Sequence, residues 1–121
     1  HKVDQGAHYI ITQMFFDFQV YKNFVERARE IGITVPIIPG IKPLTTLEQL
    51  SFIPRYFHVN IPYPIVEAME NARTREQIRK VGLEKTAELC RQLIDYKVPG
   101  LHIYTMGRGS ATRDLLKMLM G

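Results

Sequence analysis

Gln13 stands out chemically from its surroundings. It is the one carboxamide in the largely apolar run YIITQMFFD, Tyr9 to Asp17. Both faces of a strand are covered in a parallel sheet, so such strands read as nearly continuous hydrophobics, and a polar exception near the carboxyl end needs a reason. Ligands of α/β folds bind beyond those carboxyl ends. A carboxamide brings both a donor and an acceptor, which makes Gln13 the first candidate for ligand recognition; a hydrogen bond to loop backbone is the plainer use of the same group.

The other reactive side chains form weaker constellations. His1, His8, His58 and His102 show no metal-ligand spacing, so no metal is expected. Cys90 falls on the apolar stripe of a helix and reads as inert core. Asp17 is placed to cap a helix rather than to act as a base. Gly109 and Ser110 open a helix, where an anion can bind, but GRGS lacks the spacing of a Walker loop. No grouping of Ser, His and Asp argues for hydrolysis.

The elements that must hold these groups follow from periodicity. Tyr9 to Phe16 reads as a strand, preceded by a helix end and Gly6. After Asp17, apolar residues at Tyr21, Phe24, Val25, Ala28 and Ile31 predict a helix lying on a sheet and ended by Gly32. A second strand is expected at Val35 to Ile38, stopped by Pro39 and Gly40. Thr45 with Glu48 and Thr46 with Gln49 both have capping-box spacing, so a short helix starts there and Pro54 interrupts or ends it. Arg55 to Tyr63 reads as a connection into another short helix, through Ala72, introduced by Pro62 and Pro64. Thr74 with Gln77 opens the longest helical pattern, whose internal Gly82 implies close approach to a neighbouring backbone. Pro99 and Gly100 lead into a strand at Leu101 to Met106, and Ser110 is the expected N-cap of a last helix through Leu119.

Strands alternating with helices imply α/β architecture with a parallel sheet. Three strands are thin for a doubly wound domain, and the pattern suits the last three βα units of a (βα)8 barrel spread over residues 1–121. The chain therefore reads as a fragment. Its 121 residues, 45% of them hydrophobic, suffice for a core. The formal charge of +4 comes from Lys and Arg interspersed with Asp and Glu, a pattern of solvated helix faces rather than of a nucleic-acid interface. One cysteine excludes a disulfide framework, and no run is long enough to span a bilayer, so a cytoplasmic setting is expected.

Four motifs then read together: K-V-D-x-G-A (Lys2 to Ala7), I-I-T-Q-x-F-F-D (Ile10 to Asp17), G-I-x-x-P-I-I-P-G-I (Gly32 to Ile41) and P-G-L-H-x-Y-T (Pro99 to Thr105). Their order and spacing resemble methylenetetrahydrofolate reductases, FAD-dependent (βα)8 enzymes. The resemblance implies that NADH or NADPH reduces FAD and that the flavin then reduces 5,10-methylenetetrahydrofolate to 5-methyltetrahydrofolate. It aligns Gln13, Gln49, Tyr104 and Arg108 with folate-contacting positions and Lys2 with a basic residue on the FAD side; His1 is a weaker candidate. Gln13 would meet the donor and acceptor edge of a pterin or a nicotinamide amide, and Arg108 the carboxylates of a glutamate tail. Ile53 stands where some members place an aromatic residue on the ligand. Most FAD-binding elements and the carboxylic acid that protonates the folate belong to earlier strands, so no catalytic residue is expected here and the isolated piece should be inactive. The implied partners are the folate, the N-terminal remainder of the barrel and further copies of the full-length enzyme, with neither nucleic acid nor membrane. The alternatives are a noncatalytic α/β binding module whose basic surface meets a protein or nucleic acid, and a half barrel that dimerises through its open sheet edges.

Overall fold

A bulged first strand sets the geometry of the sheet. In a computed structural model that describes residues 8–105 and 109–120, β1 (Ile10–Met14) and β2 (Ile37–Ile41) pair in parallel, with Ile10 opposite Ile37 and Ile11 opposite Ile38. Met14 then pairs with Gly40, so three steps on β1 match two on β2. The irregularity lies opposite Pro39, which has no N–H to give to a ladder, and the neighbouring Gly40 N–H donates to Thr12 Oγ1 at 2.9 Å instead of to a strand carbonyl. Pro39 and Gly40 thus lie inside β2 rather than ending it, and β1 stops at Met14, short of the expected Phe16. The third strand, β3 (His102–Ile103), is shorter than expected, although Tyr104 N still donates to Ile41 O at 2.7 Å. It pairs parallel to β2, giving the sheet order β1-β2-β3.

Helices follow each strand. Asp17 accepts a hydrogen bond from Gln19 N at 3.0 Å and caps α1 (Phe18–Glu30), which ends before Gly32 at φ 90°, a left-handed value that favours glycine. Its buried stripe is narrower than the pattern suggested, for Tyr21 and Ala28 are buried while Phe24 and Ile31 are exposed. Between the two alternatives, Thr46 with Gln49 forms the capping box of α2 (Leu47–Phe57). Pro54 does not stop this helix: it costs the ladder one N–H, yet the helix runs three residues further to a left-handed cap at His58. Arg55 to Phe57 are therefore helical, and only His58–Pro62 connects to α3 (Tyr63–Glu70). Thr74 caps α4 (Arg75–Asp95) by accepting from Gln77 N at 3.1 Å. The last helix is α5 (Ser110–Met120), whose first ladder bond runs from Arg113 N to Gly109 O. That bond makes Gly109 the N-cap and Ser110 the first helical residue.

Two apolar clusters hold the layers. One joins Ile37 and Ile41 of the sheet to Tyr21 and Ala28 of α1, Leu83, Cys90 and Leu93 of α4, and Leu115 of α5. The other gathers Met14, Phe16, Leu44, Ile53, Ile61 and Met69 beneath α2 and α3. Between them, α4 grips the chain just after β2. Thr86 Oγ1 accepts from Leu44 N at 3.3 Å and donates to Gly82 O at 2.9 Å. Gly82 lies so close to the Leu44 carbonyl that a Cβ there would collide with backbone. Gly82→Ala should thus lower the urea midpoint of unfolding: about 1 kcal/mol of helix propensity is gained, but overpacking against fixed backbone costs about 1–3 kcal/mol. A raised midpoint would show that α4 has room to retreat.

Candidate functional site

Parallel pairing brings the carboxyl ends of all three strands to one rim of the sheet. Tyr104, just past β3, crosses that rim: its hydroxyl donates to Thr12 O at 2.8 Å, linking the outer strands across the middle one. Gly40 makes the crossing possible, because a Cβ there would fall 2.6 Å from Tyr104 Cε2 and 2.5 Å from Thr12 O. His102 packs edge-on against the same ring, with centroids 4.6 Å apart. With its hydroxyl committed, Tyr104 has its ring left to offer.

Gln13, beside Thr12, is exposed, and its Nε2 donates to Phe57 O at 2.5 Å, the last residue of α2. The carboxamide nitrogen is therefore used by backbone at the end of α2, while Oε1 has no partner among the described residues. Gln13 borders a cleft of about 480 Å³ between β1, α1 and the α2–α3 connection, lined mainly by apolar side chains, with Asp17, His58 and Asn60 among its polar ones.

Gln49 and Tyr104 meet at a second cavity, of about 190 Å³, which Lys42, Arg79 and the first turn of α5 also line. Gln49 is tied to the start of α2, its Oε1 accepting from Thr45 N at 2.6 Å and Thr46 N at 3.1 Å. Its amide nitrogen remains as a donor. Arg79 reaches from α4 to Asp114 of α5 at 2.6 Å, and that guanidinium hydrogen bond holds the Asp114 carboxyl below its ordinary value. Lys42 is buried and has no hydrogen bond or ion pair among the described residues; burial pulls its ammonium below the ordinary lysine value. The structure thus joins Gln49 and Tyr104 around one cavity and opens Gln13 onto another. Lys2 and Arg108 lie outside the described residues.

Ile53 is 3% exposed and belongs to the core under α2, so it offers a ligand no surface among these elements. Cys90 is fully buried, and desolvation pushes its thiol up to about 11. No group of three His, Cys, Asp or Glu among the described residues could hold a metal ion, and no described helix is long and apolar enough to cross a membrane.

The family model for methylenetetrahydrofolate reductase matches residues 1–120. The chain belongs to the methylenetetrahydrofolate reductase family. It is 40% identical over 98% of its length to a probable methylenetetrahydrofolate reductase (NADPH) of Caenorhabditis elegans, and 32% identical, again over 98%, to a methylenetetrahydrofolate reductase (NADH) of Zea mays. It spans 18% and 20% of those two relatives, and 37% of a Pectobacterium carotovorum 5,10-methylenetetrahydrofolate reductase to which it is 33% identical over 89% of its own residues. Among solved structures, a Clostridium thermocellum protein described as binding two copies of 5-methyl-5,6,7,8-tetrahydrofolic acid superposes with a TM-score of 0.66 at 17% identity, over 98% of this chain and 44% of that one. That likeness supports the α/β arrangement of three parallel strands with covering helices.

For a reductase family member, the cleft at Gln13 and the cavity at Gln49 make poor flavin cradles. The larger cleft has no lysine or arginine among its lining side chains to meet a diphosphate. The smaller cavity, about 190 Å³, falls below the range of about 300 Å³ and upward typical of ligand pockets. Neither of these two cavities combines room for a flavin with a cation for its diphosphate among the described residues. The feature that sequence reading missed is Lys42, whose lysine at the end of a buried strand, before Pro43, is itself the signal: lysine is almost never fully buried without a partner.

The Arg79–Asp114 pair spans the α4–α5 contact beside this cavity, and its pH dependence has a definite sign. Because the folded-state carboxyl value is depressed, its stabilisation is present above the unfolded value near 3.8 and is lost as pH falls through the folded value. Asp114→Asn should accordingly flatten the stability curve below about pH 4, measured by urea unfolding across pH. An unchanged slope would mean that solvent screens the pair completely.

Proposed function

We propose that this chain is one segment of an enzyme that reduces 5,10-methylenetetrahydrofolate to 5-methyltetrahydrofolate with NADH or NADPH through FAD, and that its own part is to hold the folate at the carboxyl rim of the sheet. The observation that carries the reading is the family match along residues 1–120. Relatives named for NADPH and for NADH support a nicotinamide reductant, and the folate described for the Clostridium thermocellum structure supports a folate ligand. The flavin supplies hydride when bound, and most of its seat belongs to other parts of the enzyme.

Commitments already made inside the fold narrow each role. Gln13, with Nε2 on Phe57 O, presents Oε1 as an acceptor for an N–H of the pterin edge. Tyr104 supplies a ring face, fixed by its hydroxyl bond to Thr12. Gln49 contributes an amide donor, its oxygen being held by the start of α2. Arg108 remains the proposed contact for the glutamate carboxylates and Lys2 for the cofactor. Tyr9, Ile11, Val20 and Phe24, exposed along β1 and α1, supply apolar surface that the remaining βα units of a (βα)8 barrel would cover.

Two measurements test this. The isolated 121-residue chain should purify colourless and leave NADH and NADPH unoxidised, whereas the complete polypeptide carrying it should retain yellow FAD and oxidise both or one; stoichiometric flavin on the isolated chain contradicts the division of roles. In the complete polypeptide, Gln13→Ala should weaken folate binding about tenfold or more through the lost pterin bond, with flavin content unchanged. Unaltered folate affinity would remove Gln13 from the site.

A further inference from the structure

A buried lysine without a counter-charge calls for an explanation, and Lys42 at 7% exposure is such a residue. A lysine placed this way keeps its stem in the fold and offers its charged end to a cavity that it borders. Lys42 borders two cavities. One, of about 10 Å³ among Phe15, Phe16, Ile41, Leu44 and Ile65, has room for no more than about one water. The other is the cavity of about 190 Å³ shared with Gln49 and Tyr104, with space for a carboxylate or phosphate group.

The lining of that larger cavity favours an anion. Its side chains include Lys42 and Arg79 and no aspartate or glutamate, and Arg79 is already neutralised by Asp114, which leaves Lys42 as the uncompensated charge among the described residues. Ser110, Ala111 and Thr112, the first turn of α5, also line it, and there backbone N–H groups lack intrahelical acceptors and the helix dipole is positive. Thr112 Oγ1 is buried with no hydrogen-bond partner. Lys42, Thr112 and the first turn of α5 thus all border one small cavity.

We infer that Lys42 binds an oxyanion of the substrate pair in this cavity, either a glutamate carboxylate of the folate or a phosphate of the nicotinamide dinucleotide. The inference rests on the folate-reductase reading above and adds to it a residue that sets affinity for the charged end of a ligand. The ammonium and the α5 amides would meet the oxyanion together, with Tyr104 and Gln49 bordering the rest of the molecule.

The test uses the complete polypeptide with FAD bound and a Lys42→Met variant, which keeps the side-chain volume and removes the charge. Burying methionine in place of an unpaired lysine is expected to leave the fold intact, which thermal unfolding checks, and Lys42→Arg serves as a charge-retaining control. Calorimetric affinities are compared for 5-methyltetrahydrofolate and its pteroate analogue lacking glutamate, and for NADPH and NADH. Lys42→Met should weaken 5-methyltetrahydrofolate about tenfold while leaving the pteroate analogue unchanged, or should do the same to the dinucleotides with the folates unaffected; each pattern identifies its oxyanion, and Lys42→Arg should recover part of the loss. Equal losses for both folates with unchanged dinucleotides, or no loss for any ligand, overturns the role of Lys42 while wild-type binding leaves the broader reading standing. Failure of the wild-type protein to bind either folate overturns both.

Discussion

The Tyr104 hydroxyl bond to Thr12 O is the constraint on which the rim of this sheet depends. It joins residues 92 positions apart and passes over the middle strand, so it requires that strand to have no side chain at the crossing. Gly40 meets the requirement, and Pro39 before it forces the first strand to bulge, which in turn frees Thr12 to bond the Gly40 N–H. A proline and a glycine that would ordinarily end a strand are here the means by which three strands keep their ends in register.

The same economy of partners shapes the candidate site. Each polar side chain at the rim has spent one of its groups on the fold: Gln13 on Phe57, Gln49 on the start of α2, Tyr104 on Thr12. What remains for a ligand is one acceptor, one donor and one ring face, each held in place by the bond already made. Preorganisation of this kind lowers the cost of ordering side chains on binding. Lys42 departs from the pattern, since its charge is met by nothing in the described fold.

Much of this was legible in the chain itself. The caps at Asp17, Thr46 and Thr74 rest on side chains that bond their own neighbourhood, so local spacing pointed to them, with Thr45 left as a rival to Thr46, and the crowding at Gly82 followed from an otherwise costly glycine in a long helix. The family resemblance, carried by four motifs, agrees with the family to which the chain belongs. Where local reading fell short, tertiary partners decided. Pro39 and Gly40 stay within a strand because a neighbouring strand yields, and Pro54 stays within a helix because the chain beyond it still closes a turn. Phe24 and Ile31 fit the helical stripe yet remain exposed, since periodicity shows which face is apolar and not how far its covering extends. The burial of Lys42 is a tertiary outcome, as is the bond of nearby Leu44 to Thr86, 42 residues away, and no spacing rule reaches either.

The bond between Gln13 and the final carbonyl of α2 ties a strand-end amide to a helix that carries a proline in its last turns and ends on a left-handed residue. Helix ends of this type fray more easily than their middles. The bond to Gln13 holds that end, and with Nε2 on Phe57 O the carboxamide oxygen is the atom left without a partner among the described residues.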